Sequence, residues 1–362
     1  MTNHPKIVLH LGPEKCGSTT LQAAMAPDGP LADRVLAPVL DPYAVIALEQ
    51  DPVDESIMAH FRNQITQAMA QAQGRVLVLS HEMAFKSLPI LKNLADLACA
   101  FSRDVRAIAY VRRQSDLIVS GFGQWHFRSR ARLDEAADVM RAHGVDPDLF
   151  RALERHLIAV ILGGWSVARQ PSGHVYFNWS QSVPERSKVL ERFGIPLLVG
   201  ALPGRRQAQA LVPDFVQRLG LPGPEVTMAP LRNPSYHPYL IEAAATAIQA
   251  GADLPGPHDG NDFYGQAAAV IADAPGHTAF VTLLKSHIDS CFAASNCQFA
   301  MAQDLPQARF PPAMTVSRSR ILAEIQDQAR RRSALDPDQR AQEAGLREVM
   351  AKLLWQKAQK RH

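Results

Sequence analysis

The stretch Lys6-Ile7-Val8-Leu9-His10-Leu11-Gly12-Pro13-Glu14-Lys15-Cys16-Gly17-Ser18-Thr19-Thr20 decides how the rest of the chain is read. Its first half is a short apolar run and predicts a buried strand over Lys6–Leu11. Gly12, Pro13 and Gly17 then force a tight loop. Beyond the loop, Thr19–Ala26 places apolar residues at helical spacing. A helix that begins straight out of a loop leaves its first N–H groups without an internal acceptor. Those donors and the positive helix end favour an anion. Ser18, Thr19 and Thr20 add hydroxyls, and Lys15 adds a mobile positive charge. The chemistry points to phosphate or sulfate.

Further apolar runs at Arg75–Ser80, Val105–Val111 and Ile195–Val199 predict three more strands. They are continuous rather than alternating, as in a parallel sheet covered on both faces. Asp54–Ala72, Ile90–Phe101 and Gln114–Trp125 lie between them with helical spacing. Strand–helix alternation predicts an α/β fold, a three-layer sandwich about a central parallel sheet with right-handed crossovers. Leu133–Ala142 and Pro147–Leu162 read as helices inserted at about 124–173, and Pro203–Leu219 and Pro238–Ala250 as further helices. Asp253–Asp262 reads as loop, and the tail Ser317–His362 as strongly helix-forming. The expected division is an α/β core over 1–250 and a mainly helical C-terminal extension over 251–362, packed on the core or on a partner. Within the tail, Arg330-Arg331-Arg332 reads as a solvated helix face.

Composition narrows the function. Over 362 residues, 38 basic side chains face 35 acidic ones, and 47% of residues are apolar. That balance excludes wholesale disorder and argues against a surface built to grip nucleic acid. Cys16, Cys99, Cys291 and Cys297 form no CxxC pair, and the 13 histidines show no HExxH pattern. Neither a zinc ribbon nor another metal site is expected. No apolar run approaches membrane-helix length, and the N-terminal run is too short for a signal-peptide core, so a cytoplasmic protein without a membrane span is expected.

Two more strand ends carry chemistry. Val111-Arg112-Arg113 closes one strand, and Ser120 follows Arg112 after seven intervening residues, on the next helix. An arginine at a strand's carboxyl edge points into the crevice where open α/β sheets bind ligands, and can grip a second phosphate. Val76-Leu77-Val78-Leu79-Ser80 ends in His81 and Glu82, either of which offers a general base at the same edge. The loop itself departs from the Walker A pattern. Gly12 and Gly17 have its spacing, but Ser18 stands where that pattern requires lysine.

Lys15-Cys16-Gly17-Ser18-Thr19 instead resembles the 5′-phosphosulfate loop of sulfotransferases that use 3′-phosphoadenosine 5′-phosphosulfate (PAPS), a family with a P-loop NTPase-like fold. Arg112 and Ser120 resemble that family's 3′-phosphate motif, and Glu82 resembles the glutamate of its glycan-type branch. His81 is the second candidate base, since small-molecule members use a histidine. Weaker likeness extends through Phe193-Gly194-Ile195, Val212-Pro213-Asp214-Phe215 with Leu219-Gly220-Leu221, and Arg232-Asn233-Pro234-Ser235.

The resemblance implies transfer of a sulfuryl group from PAPS to a hydroxyl of a glycan or small-molecule acceptor, without a metal. It implies that Gly12, Lys15, Gly17, Ser18, Thr19, Thr20, Arg112 and Ser120 bind the donor, and that Lys15 with Glu82 or His81 acts in catalysis. The family's later Lys/Arg-Gly loop over the 3′-phosphate has no clear copy; Arg318 and Arg320, or Arg205 and Arg206, are the substitutes available. Two other readings stay open: a nucleotide-dependent kinase with a degenerate P-loop, and a non-catalytic binding protein of the same fold.

Overall fold

The N-terminal apolar run becomes the middle strand of a sheet. The structure is a computed structural model, and it describes residues 6–163, 177–203, 209–221, 238–252, 254, 278–306, 310 and 315–335. The described strands are β1 (Ile7–His10), β2 (Val35–Leu36), β3 (Val76–Ser80), β4 (Val105–Val111) and β5 (Leu197–Ala201). They form one five-stranded sheet in the order β2-β3-β1-β4-β5, parallel at every pairing. Val8 lies opposite Val78 on one side and Arg106 on the other. All four residues of β1 are buried, as a strand covered on both faces requires.

The described helices are α1 (Ser18–Ala24), α2 (Pro42–Ala47), α3 (Glu55–Ala72), α4 (Met83–Lys86), α5 (Leu88–Phe101), α6 (Gln114–Phe122), α7 (Arg130–Ala142), α8 (Ala152–Leu162), α9 (Trp179–Glu191), α10 (Leu211–Leu219), α11 (Pro238–Gln249), α12 (Ala279–Ala302) and α13 (Arg318–Ser333). The chain divides into two compact units. The first comprises Met1–Arg113, His174–Pro234 and Ala294–Pro311; the second comprises Gln114–Gly173, Ser235–Ala293 and Pro312–His362.

The first unit holds the whole sheet. The path from β1 moves outward to β2, and the paths from β2, β3 and β4 move the opposite way across the sheet. Right-handed crossovers therefore put α1 on one face and α3, α5 and α9 on the other. Contacts agree: α1 packs with α10, while α5 packs with both α3 and α9. The result is three layers, with the connections parting at the carboxyl end of β1. Ligands bind at such a switch point in open α/β sheets.

In the second unit, α8 packs on α7 and α11. The Glu242 carboxylate accepts hydrogen bonds from the Ala152 and Leu153 N–H groups at 2.7 and 3.1 Å, satisfying two orphan donors at the start of α8. Asp289 does the same for α6, accepting from Ser115 N and Oγ at 3.1 and 2.8 Å. Glu154 is fully buried and is held by Arg332 in a fork of 2.7 and 3.0 Å. The Arg332 guanidinium also lies over the Phe150 and Phe280 rings.

Several element boundaries differ from the sequence reading for local reasons. The last strand starts at Leu197, not Ile195, because Pro196 offers only its carbonyl, which accepts from Ala107 N at 2.9 Å. α5 begins at Leu88, two residues early, since Ser87 caps it and a proline is tolerated in a first turn. The expected helix Pro147–Leu162 splits into a 3-10 turn at Pro147–Leu149 and α8. β2 and α2 were not expected; two residues of strand carry no periodicity. Arg330 and Arg331 are exposed as expected, but Arg332 turns inward to Glu154. Most of the expected loop over 253–262, the Arg232–Ser235 element, Arg205, Arg206 and the tail beyond 335 lie outside the described residues.

Candidate functional site

β1 does not stop cleanly at His10. Leu11 N still donates to Ile108 O at 2.9 Å, which carries the ladder to the edge of the loop. The loop then turns between Pro13 O and Cys16 N, 3.1 Å apart. Lys15 and Gly17 both take left-handed backbone, with φ of 63° and 94°. Gly17 is required there twice over. The conformation favours glycine, and an added Cβ would meet Leu211 at 2.6 Å and Leu202 at 2.8 Å. Ser18 opens α1 immediately afterwards. With only seven residues, α1 is a short dipole, so the Lys15 ammonium is the principal positive charge of the loop.

Gly12 lets Ser18 and His10 pack close to the loop backbone. A Cβ on it would stand 2.2 Å from Ser18 Oγ and 3.2 Å from His10 Nε2. Both of those atoms are buried and make no hydrogen bond of normal geometry. Ser18 still lies close enough to Glu82 to favour its carboxylate form. Thr20 is buried in the first turn of α1 and Thr19 is exposed.

The second strand end reaches this loop directly. Arg112 Nη1 donates to the Lys15 carbonyl at 2.9 Å, and the Arg112 carbonyl accepts from Trp179 Nε1 at 2.7 Å. Trp179 is fully buried, so its ring is core and its indole N–H positions the Arg112 backbone. The other residue of the proposed phosphate pair, Ser120, stands half-buried on α6 in the second unit. Arg113 is half-buried beside Arg112.

The third strand end completes the site. Glu82 is half-buried and precedes the short helix α4. Desolvation, reinforced by the nearby Glu14 carboxylate, pushes its pKa up, while Lys15, Ser18 and Lys86 pull the other way. Lys86 also pairs with Glu14 at 2.5 Å. Lys15 shows the complementary effect: burial lowers its pKa to about 8, partly offset by Glu82 and Glu14. Both groups thus sit closer to neutrality than usual, a pattern found at functional sites. Burial pushes the Cys16 thiol up to about 12, which keeps it protonated and unreactive.

His81 is tied to structure. Its Nδ1 accepts from Met83 N at 3.2 Å, so the ring proton resides on Nε2. Burial lowers its pKa. It has no lone pair left to receive a proton without giving up that bond.

The first unit therefore brings Gly12, Lys15, Gly17, Ser18, Glu82 and Arg112 around one loop. The sequence reading missed His10, Glu14 and Lys86. The signal for His10 was present, an imidazole inside an otherwise apolar run. The Glu14–Lys86 pair joins residues far apart in the chain and left no local signal. Among the described residues, no group of three or more His, Cys, Asp or Glu is arranged to hold a metal ion, and no helix is long and apolar enough to cross a membrane. No protein-family model matches the chain, and neither does any curated protein or solved structure.

Proposed function

We propose that this chain is a PAPS-dependent sulfotransferase acting on a hydroxyl of a glycan or small molecule, on a P-loop-type scaffold. One observation carries the reading. A glycine-containing loop at the switch point of a parallel sheet gathers a lysine, a buried serine hydroxyl, an arginine and a carboxylate of raised pKa. An anionic phosphosulfate suits this cradle: its oxygens would satisfy Ser18 Oγ and the loop N–H groups, and its charge would restore Lys15 to its ordinary basicity.

PAPS supplies an activated sulfuryl group. Lys15 and Ser18 hold oxygens of the phosphosulfate, and Lys15 offsets charge growing on the leaving phosphate. Glu82 takes the proton of the acceptor hydroxyl as its oxygen bonds to sulfur and the sulfur–oxygen bond to the phosphate breaks. The products are a sulfate ester and 3′,5′-adenosine bisphosphate. The fixed tautomer of His81 favours Glu82 as base. Arg112 has five N–H donors and spends one on Lys15, so its guanidinium both braces the loop and serves the 3′-phosphate.

Turnover of sulfur-labelled PAPS, by hydrolysis and by transfer to a panel of hydroxyl acceptors, tests the reading. Glu82→Gln should lower turnover about 100-fold or more while leaving donor binding intact. Absence of any PAPS turnover, or full turnover in Glu82→Gln, would remove the proposal.

A further inference from the structure

His10 is a buried ionisable side chain at the loop that the proposed reaction leaves unused. Its ring is 1% exposed and sits edge-on to Phe215 at 6.2 Å. Its Nδ1 lies 2.8 Å from Ser80 Oγ, which in turn accepts from Gln22 Nε2 at 3.1 Å. Its Nε2 has no partner and lies 3.2 Å from where a Gly12 Cβ would stand. A buried ring nitrogen left unpaired is costly. Hydrophobic residues would fill the same position more cheaply.

We propose that His10 is a ligand-contacting residue, donating a hydrogen bond from Nε2–H to an oxyanion held in the Gly12–Ser18 loop. The chain Gln22 to Ser80 to His10 accommodates the tautomer that this donation needs. Gln22 donates to Ser80 Oγ, Ser80 donates its hydroxyl proton to Nδ1, and the ring proton stays on Nε2. Ser18 Oγ, also buried, lies 2.2 Å from the same Gly12 Cβ position, on the same side of the loop. Burial holds the His10 pKa near 4, so the ring is a neutral donor across the working pH range. It therefore adds a directed hydrogen bond where Lys15 adds charge. The inference rests on the anion-binding part of the proposed function and deepens it.

The test uses the full chain with 15N-labelled histidine. The His10 resonances should show the Nε2–H tautomer, and should move in a saturable way on adding 3′,5′-adenosine bisphosphate and, separately, inorganic pyrophosphate. Calorimetry on variants supplies the second readout. His10→Phe keeps an apolar ring and should weaken binding about tenfold or more, as for loss of a bond to a charged group. His10→Gln, which can place an amide N–H near the Nε2 position, should recover most of that affinity. Melting temperatures identify any variant that fails to fold, and the labelled wild type then decides alone. An Nδ1–H tautomer, resonances unmoved by an anion that binds, or undiminished affinity in folded His10→Phe would overturn the proposal. If pyrophosphate binds and moves His10 while the bisphosphate does not bind, His10 keeps its role and the PAPS reading falls. If neither anion binds the wild type, both fall.

Discussion

At the scale of single residues, the loop trades stability for charge. Lys15 is desolvated, and this lowers its pKa to about 8 against the opposing pull of Glu82 and Glu14. Lys15→Met keeps the length of the side chain and removes the buried charge. It should melt at or above the wild-type temperature, a gain of up to about 1 kcal/mol, while losing nucleotide affinity. A variant that loses both together would make Lys15 a structural residue. The same shift fixes a pH limb. The cation is lost as pH rises through about 8, so anion binding should decline above that value in titrations across pH 6–10. Gly12 is a purely steric requirement, since an added Cβ meets Ser18 Oγ at 2.2 Å. Gly12→Ala should cost about 1–3 kcal/mol in chemical denaturation. Adding Ser18→Ala should recover much of it, and simple additivity of the two would contradict this contact. These residue types were legible in the sequence because glycine, lysine and hydroxyls at loop spacing imply an anion. The hydrogen bond from Met83 N to His81 Nδ1 was not, because it depends on how the strand end turns rather than on residue type.

At the scale of elements, the site exists because three strand ends of one parallel sheet meet. β1 brings the loop, β3 brings His81 and Glu82, and β4 brings Arg112. Apolar runs made these strands readable, and their order could be anticipated only as parallel. The joints between elements were hidden. Arg112 bonding the Lys15 carbonyl, and Lys86 pairing Glu14, depend on residues far apart in the chain. They also make predictions. Lys86 lowers the Glu82 pKa, directly by its charge and indirectly by facing Glu14. Lys86→Met should therefore move the acid limb of the pH–rate profile to higher pH, with the limb at high pH unchanged. No movement would mean that Glu82 is not the titrating base.

At the scale of the whole molecule, the sequence reading separated a core over 1–250 from a C-terminal extension. Contacts divide the chain into two units, the second made of 114–173, 235–293 and 312–362. Periodicity reports where helices lie, not which distant helices share a core. The Glu154–Arg332 pair illustrates why: its carboxylate is buried within α8, and its partner comes from α13. Arg332→Met leaves that carboxylate unpaired and should destabilise the chain by about 3–5 kcal/mol, seen in thermal melts. Pairing it with Glu154→Leu should restore much of the loss. The site itself belongs to the first unit, and its central claim is a pocket for a bisphosphate nucleotide rather than a triphosphate. The most direct test is a calorimetric titration with 3′,5′-adenosine bisphosphate beside ATP with magnesium, in wild type and Lys15→Met. Preferential binding of the bisphosphate, lost in Lys15→Met, is the predicted result. Preference for ATP with magnesium would contradict it in favour of a kinase with a degenerate loop, and absence of any nucleotide binding in favour of a non-catalytic binding protein.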